Sequence, residues 1–178
     1  FPRATQALAQ ALACLEGVDA SFARGRILIN WGCVDFQWGQ YDAAESRWRA
    51  ALALVQGKHP EENALALNNL AVVATVRGDL EEAWQLYDQA LALYQTCQAS
   101  PQVTLTYYNM GMVRADQERW DEALELYERS LEVCRATRNR FHEPVIELNR
   151  AEALLGQGNL VEARQACGRA LRSFHRRD

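Results

Sequence analysis

The sequence predicts an all-α fold, an α-solenoid of about nine helices laid down as antiparallel pairs. Three observations carry that prediction. Ala, Leu, Glu, Gln and Arg, all strong helix formers, make up 96 of the 178 residues. Val, Ile and Thr number only 20, too few to furnish the β-branched faces of a sheet protein. One pattern also recurs four times, in segments that start at Gly25, Ala64, Thr104 and Pro144 and so lie 39, 40 and 40 residues apart.

Each segment reads as a helix of about 14 residues, a tight turn and a second helix. Gly39, Gly78 and Gly158 occupy the turn, where a left-handed residue ends the first helix. Glu118 stands in that slot in the third segment and predicts a strained or differently shaped turn. A large residue follows two places later (Tyr41, Leu80, Trp120, Leu160), then a small one (Ala44, Ala83, Ala123, Ala163). Next come Trp48, Tyr87, Tyr127 and Cys167, then the pairs Ala51-Leu52, Ala90-Leu91, Ser130-Leu131 and Ala170-Leu171. Offsets of three, four and seven place these columns on one helical face. The small column Gly32, Ala71, Gly111 and Ala151 is the expected counterpart, in the first helix, of the alanine column. Pro60, Pro101 and Pro144 fall near the starts of first helices, where a missing N–H costs little.

At the N-terminus, Phe1 aligns with the large column, and Ala4, Leu8, Ala11 and Leu12 match the columns after it. Residues 1–20 therefore read as the second half of a preceding repeat. Residues 1–178 read as a single solenoid domain, a fragment of a longer chain. Near the other end, Glu147 and Arg150 replace apolar column residues. They read as a pair on a solvated face of a fraying terminal repeat. Leu160, Cys167, Leu171 and Phe174 nevertheless keep an apolar stripe on the last helix, a candidate surface for self-association through the array ends.

The recurring G-D/N-L/Y, A, Y, A-L signature, with its four small-residue and turn columns, resembles the tetratricopeptide repeat (TPR) and covers nearly the whole chain. The 39–40-residue period is similar to the extended variety in kinesin light chains and bacterial peptide-sensing or signalling regulators. The extra residues are expected to lengthen the second helix and the loop after it, at Gln56–Glu62, Thr96–Gln102 and Thr137–Glu143. The resemblance implies a right-handed superhelix whose first helices line a concave groove.

One column has no evident folding role: Asn30, Asn69, Asn109 and Asn149. Asparagine is a poor mid-helix residue, at about 0.5 kcal/mol relative to alanine. The column matches the family position that hydrogen-bonds the backbone of a bound peptide. An Asn amide both donates and accepts, so it can satisfy a peptide unit without reading its side chain. Helices spaced by about 10 Å present one Asn per roughly three residues of extended ligand. The competing reading is helix-to-helix hydrogen bonding within the array. Asn69 and Asn109 are the expected main contacts, with Asn30 and Asn149 at the margins. Asn68, Tyr108, Met112, Val72 and Val76 supply apolar and polar neighbours on the same face, with Arg26 and Glu152 charging its ends. The expected ligand is a peptide or partner helix with an apolar centre. The groove positions that would hold cations in clamps for acidic C-terminal peptides carry Ile29, Cys33, Leu105 and Asn109 instead, so that subtype is not expected.

Other chemistry is weakly supported. His59, His142 and His175 have no second histidine or cysteine three or four residues away, and no phosphate-binding glycine loop or nucleophile motif appears. No cofactor and no enzymatic activity are expected. The chain carries a net charge of -4 and no nucleic-acid motif, so nucleic acid is not the expected partner despite a basic stretch from Arg164 to Asp178 and a cluster at Arg135, Arg138 and Arg140. The paired acidic residues Glu61-Glu62, Glu81-Glu82 and Asp121-Glu122 open helices, where they complement the dipole. No run of about 18 apolar residues would span a membrane. Five scattered cysteines read as reduced, small buried hydrophobes of a cytoplasmic protein. The function predicted is a non-enzymatic protein-interaction scaffold binding a peptide or partner helix in its groove. The alternative is a structural or oligomerisation element, or the sensor portion of a larger bacterial regulator, contacting partners through its ends.

Overall fold

A helix with apolar residues at offsets of three, four and seven cannot bury that face alone, and each such helix here lies against another. The computed structural model describes residues 2–17 and 20–175, so the expectation for Phe1 lies outside the described residues. Among the described residues there are nine helices and no strand. None of these helices is long and apolar enough to cross a membrane.

The chain divides into two compact units, one ending at Cys97 and the other starting at Gln98. The first holds α1 (Pro2–Ala13), α2 (Ser21–Gln37), α3 (Tyr41–Val55), α4 (Pro60–Arg77) and α5 (Leu80–Thr96). Consecutive helices pack on one another, and α2 and α4 also lie side by side. Ala4, Leu8, Ala11 and Leu12 are half-buried on α1, which packs on α2. The second unit holds α6 (Ser100–Asp116), α7 (Trp120–Ala136), α8 (Glu143–Gly156) and α9 (Leu160–His175), with α6 beside α8.

The alanine column is fully buried in all four pairs. In two pairs the small column lies against the aromatic one. A Cβ built on Gly32 would fall on the Trp48 indole, and one on Gly111 would lie 2.5 Å from the Tyr127 ring. At these two glycines the bare backbone makes room for a ring, whereas Ala151 shares a buried cluster with Ala163, the expected pairing of small and alanine columns. Trp48 then donates Nε1–H to the Ile29 carbonyl at 3.0 Å, and Ser130 donates its hydroxyl to the Thr104 carbonyl at 2.8 Å.

The four intra-repeat turns share one geometry. Gly39, Gly78, Glu118 and Gly158 all have positive φ, between 57° and 83°. In each, the next amide reaches back five residues, as in Asp79 N–H to the Ala74 carbonyl (2.9 Å) and Arg119 N–H to the Arg114 carbonyl (2.9 Å). Glu118 therefore keeps the shape of the glycine turns and bears the left-handed strain. A second left-handed set, Gly17, Gly57, Gln98 and Arg138, closes the turns between repeats. Those turns are shorter than expected. Helix α4 already starts at Pro60 and α6 at Ser100, so part of the extra length lies in first helices of 17 and 18 residues.

Charge is buried where the columns are otherwise apolar. Glu147 is only 4% exposed and accepts a hydrogen bond from Arg169 Nε at 2.7 Å, while half-buried Arg150 sits 3.6 Å from both Glu147 and Glu128. The expected solvated pair is instead an internal network, because α9 covers α8. Asp35 is likewise buried and paired with Arg47, whose guanidinium lies 3.8 Å from the centroid of the Trp31 ring. Of the cysteines, only Cys134 is buried; Cys14 and Cys167 are exposed, so they do not serve as core hydrophobes.

Two substitutions test the shared turn. A left-handed residue other than glycine costs about 1–2 kcal/mol. Gly78→Ala should lower the urea unfolding free energy by about 1 kcal/mol, and Glu118→Gly should raise it by up to about 1 kcal/mol. Shifts of the same sign would show that the two turns are not equivalent.

Candidate binding face

In the first unit, the predicted face runs along α2 and α4. Asn69 Nδ2 donates to the Cys33 sulfur at 3.6 Å, a bond from α4 to α2. Burial pushes the Cys33 thiol up, opposed by hydrogen bonds from Asn69 and Trp48. Asn30 is exposed, Asn68 and Val72 are half-buried, and Val76 is 50% exposed. Arg26, expected to charge one end of the face, donates to buried Glu62 at 3.1 Å and stands 5.9 Å over the Phe22 ring. Its charge is therefore largely committed to fastening α2 to α4. Glu62 correspondingly does more than complement a helix dipole.

In the second unit, Asn149 Nδ2 donates to the Tyr108 hydroxyl at 3.0 Å, a bond from α8 to α6. Asn109 is half-buried, and no hydrogen bond of its side chain occurs among the described residues. Thus Asn69 and Asn149 each tie a first helix to its predecessor. That bond leaves Asn69 a second amide hydrogen and its carbonyl acceptor, while Asn149, which also bonds the Tyr127 phenol, keeps its carbonyl acceptor.

Around Asn149 the elements converge on a cavity of about 150 Å³, lined by Met112, Asp116, Trp120, Tyr127 and Glu152 as well. Met112 and Asp116 come from α6, Trp120 and Tyr127 from α7, and Asn149 and Glu152 from α8. The Tyr108 and Tyr127 rings lie 6.2 Å apart, centroid to centroid, and are tilted by 40°. Trp120 reaches this position because it lies on Gly156, where a Cβ would come within 2.7 Å of the indole. Asp116 and Glu152 bring two carboxylates, and neither is paired with a cation among the described residues. The cavity therefore joins aromatic faces, a thioether, an amide and two carboxylates. That set suits a cationic or hydrogen-bond-donating group carried on an apolar stem.

Met112, Asn149 and Glu152 are the sequence-predicted residues that reach this cavity, with Tyr108 bonded to Asn149 behind it. Trp120 and Tyr127 lie on the second helix of their pair, outside the first-helix columns. Their signal was present as the glycines at 111 and 156, each of which admits a ring. Among the described residues no group of three His, Cys, Asp or Glu is placed to hold a metal ion.

Burial, then the neighbouring Tyr108, pushes the Tyr127 phenol up, against a lowering hydrogen bond from Asn149; Tyr108 is raised chiefly by burial. In the first unit Tyr87 is pushed up to about 12, again by burial. A phenol whose folded pKa exceeds its unfolded value stabilises fully below the unfolded pKa, and that stability is lost as pH rises through the folded pKa. Stability should therefore fall from about pH 10 upward, each raised tyrosine adding up to about 1.4 kcal/mol per pH unit. Tyr127→Phe should flatten the fall by one such increment in urea titrations at stepped pH; an unchanged slope would place the phenol in water.

The sequence matches the family described as the MalT-like TPR region over residues 1–178. None of the curated proteins is similar enough in sequence to match. Among solved structures, BtubC (BKLC) from P. vanneervenii is 22% identical with a TM-score of 0.82, over 97% of this chain and 70% of that one. Aspartyl phosphate phosphatase F from Bacillus subtilis is 13% identical with a TM-score of 0.87, over 98% of this chain and 49% of its own. MamA is 18% identical with a TM-score of 0.72, over 98% and 90%. These likenesses establish a TPR-type helical-repeat fold.

Proposed function

Because the chain belongs to the family of the MalT-like TPR region, a fold that typically serves as a protein-interaction module, we propose that it is a non-enzymatic scaffold that holds a peptide or partner helix against its first helices. The observation that carries this reading is the cavity at Asn149. There, three helices present Met112, Trp120 and Tyr127 for an apolar stem and Asp116 and Glu152 for a positive end. The ligand best suited to it carries a Lys or Arg side chain with apolar neighbours. An ammonium or guanidinium over an aromatic face gains about 0.5–2 kcal/mol. Half-buried Asn109 on α6 and the carbonyl acceptor of Asn149 would hold the ligand backbone beside that side chain. In the first unit, Asn30, Asn68, Asn69, Val72 and Val76 form the corresponding backbone-holding and apolar surface. Five free cysteines support a reducing, cytoplasmic setting.

Selection from a displayed library of random dodecapeptides tests the reading. Peptides enriched in Lys or Arg should emerge, and Asp116→Asn/Glu152→Gln should weaken them at least tenfold while circular dichroism stays unchanged. Enrichment without basic residues, or equal binding by the double variant, would remove the cavity as the reader.

A second reading rests on the outer face of α9, where Leu160 and Val161 are 68% and 70% exposed and Leu171 is 59% exposed. An apolar strip of this kind favours self-association. On that reading light scattering gives a mass that rises with concentration and returns to that of a monomer in Leu160→Glu/Leu171→Glu; a constant monomer mass in the parent would exclude it.

A further inference from the structure

The second unit holds another concavity, well separated in chemistry from the acidic one. It measures about 220 Å³ and lies where the end of α7, the α7–α8 connection, the start of α8 and the end of α9 meet. Four guanidinium groups line it: Arg135, Arg140, Arg169 and Arg172. Two carboxylates, Glu143 and Glu147, share the lining, so its formal charge is +2 in a chain whose net charge is -4.

The carboxylates are already engaged. Glu147 accepts from Arg169 Nε at 2.7 Å, and Glu143 lies 3.6 Å from Arg140 Nε. Arg135 donates Nη1–H to Glu128 at 2.8 Å. Arg172 has no carboxylate within ion-pair distance among the described residues. A guanidinium carries five N–H donors in a planar fork, so the pairs of Arg135 and Arg169 leave donors to spare. Helix dipoles favour cations near the C-terminal ends of α7 and α9. They do not explain why Arg140, from the connection, and Arg169, a turn further inside α9, converge with them on one concavity. Gathering like charges in a partly enclosed space is unfavourable unless an anion offsets it.

We propose that this pocket binds a doubly charged phosphoryl group, as free phosphate or a phosphate monoester. With Glu128 and Arg150, which flank the lining, five guanidinium groups face three carboxylates, so the dianion still matches a surplus of two charges, and its tetrahedral oxygens accept from several guanidinium forks at once. The volume admits the phosphoryl group together with a small substituent.

Isothermal titration calorimetry at pH 7.5 and constant ionic strength tests this with inorganic phosphate, O-phosphoserine and malonate as probes. Phosphate or phosphoserine should bind saturably, the tighter of the two identifying free ion or ester as the source. Malonate should bind at least tenfold more weakly. Arg140→Gln/Arg172→Gln should weaken binding at least tenfold; it spares Arg135 and Arg169, which hold Glu128 and Glu147. Glu143→Gln, which raises the pocket charge by one, should tighten binding several-fold and gives an independent readout if the double variant is unstable. Absence of phosphate and phosphoserine binding, malonate binding as tight as theirs, or unchanged affinity in both variants would overturn the proposal.

Discussion

Two of the four helix pairs depend on an aromatic ring laid on bare backbone. Trp48 covers Gly32 and Tyr127 covers Gly111, so the second helix approaches the first to ring-thickness distance. The fit is anchored as well as filled, since Trp48 also donates to the Ile29 carbonyl. The same contact positions the candidate site. Tyr127 presents one side of its ring to Gly111 and another to the cavity at Asn149. Core and cavity thus share one ring, which keeps the cavity on helices packed into the core. Trp120 repeats the device on Gly156, one helix further on.

Charge burial is the second organising feature. Asp35 with Arg47, Arg114 with Glu122, Glu62 with Arg26, and Glu147 with Arg169 each join two helices across a partly dry interface. Such pairs gain little net stability, because desolvation offsets most of the attraction. Removing one partner is a different matter, since it strands a charge in the interior. The pairs therefore act as register pins: a helix that slides loses its partner. In the second unit this pinning also shapes the arginine-lined concavity. Glu147 draws Arg169 inward, and Glu143 lies beside Arg140.

The asparagine row ties helices together, and on the proposed reading it would also face a ligand. Asn69 and Asn149 tie neighbouring first helices, through Cys33 and Tyr108, while their position keeps them on the face that an interaction module presents. A ligand held there would meet amides already oriented by the fold, and so would not have to order them itself.

The helices, their pairing and the left-handed turns at Gly39, Gly78 and Gly158 were legible in the sequence, because period and turn chemistry are local properties. The left-handed turns at Gln98 and Arg138 were not, since neither residue marks positive φ and only the packing of the flanking helices imposes it. The role of Glu147 and Arg150 also escaped the sequence. Two charges three apart describe a solvated pair equally well, until α9 is laid over them. Asn149 and Met112 were visible as members of a column, whereas Trp120 and Tyr127 join them only through the approach of α7 to α6 and α8. The sequence by itself determined what kind of helices form and which faces they bury, because periodicity needs no partner. Only the tertiary structure decided which rings, amides and charges share a cavity, because that depends on distances between residues far apart in the chain.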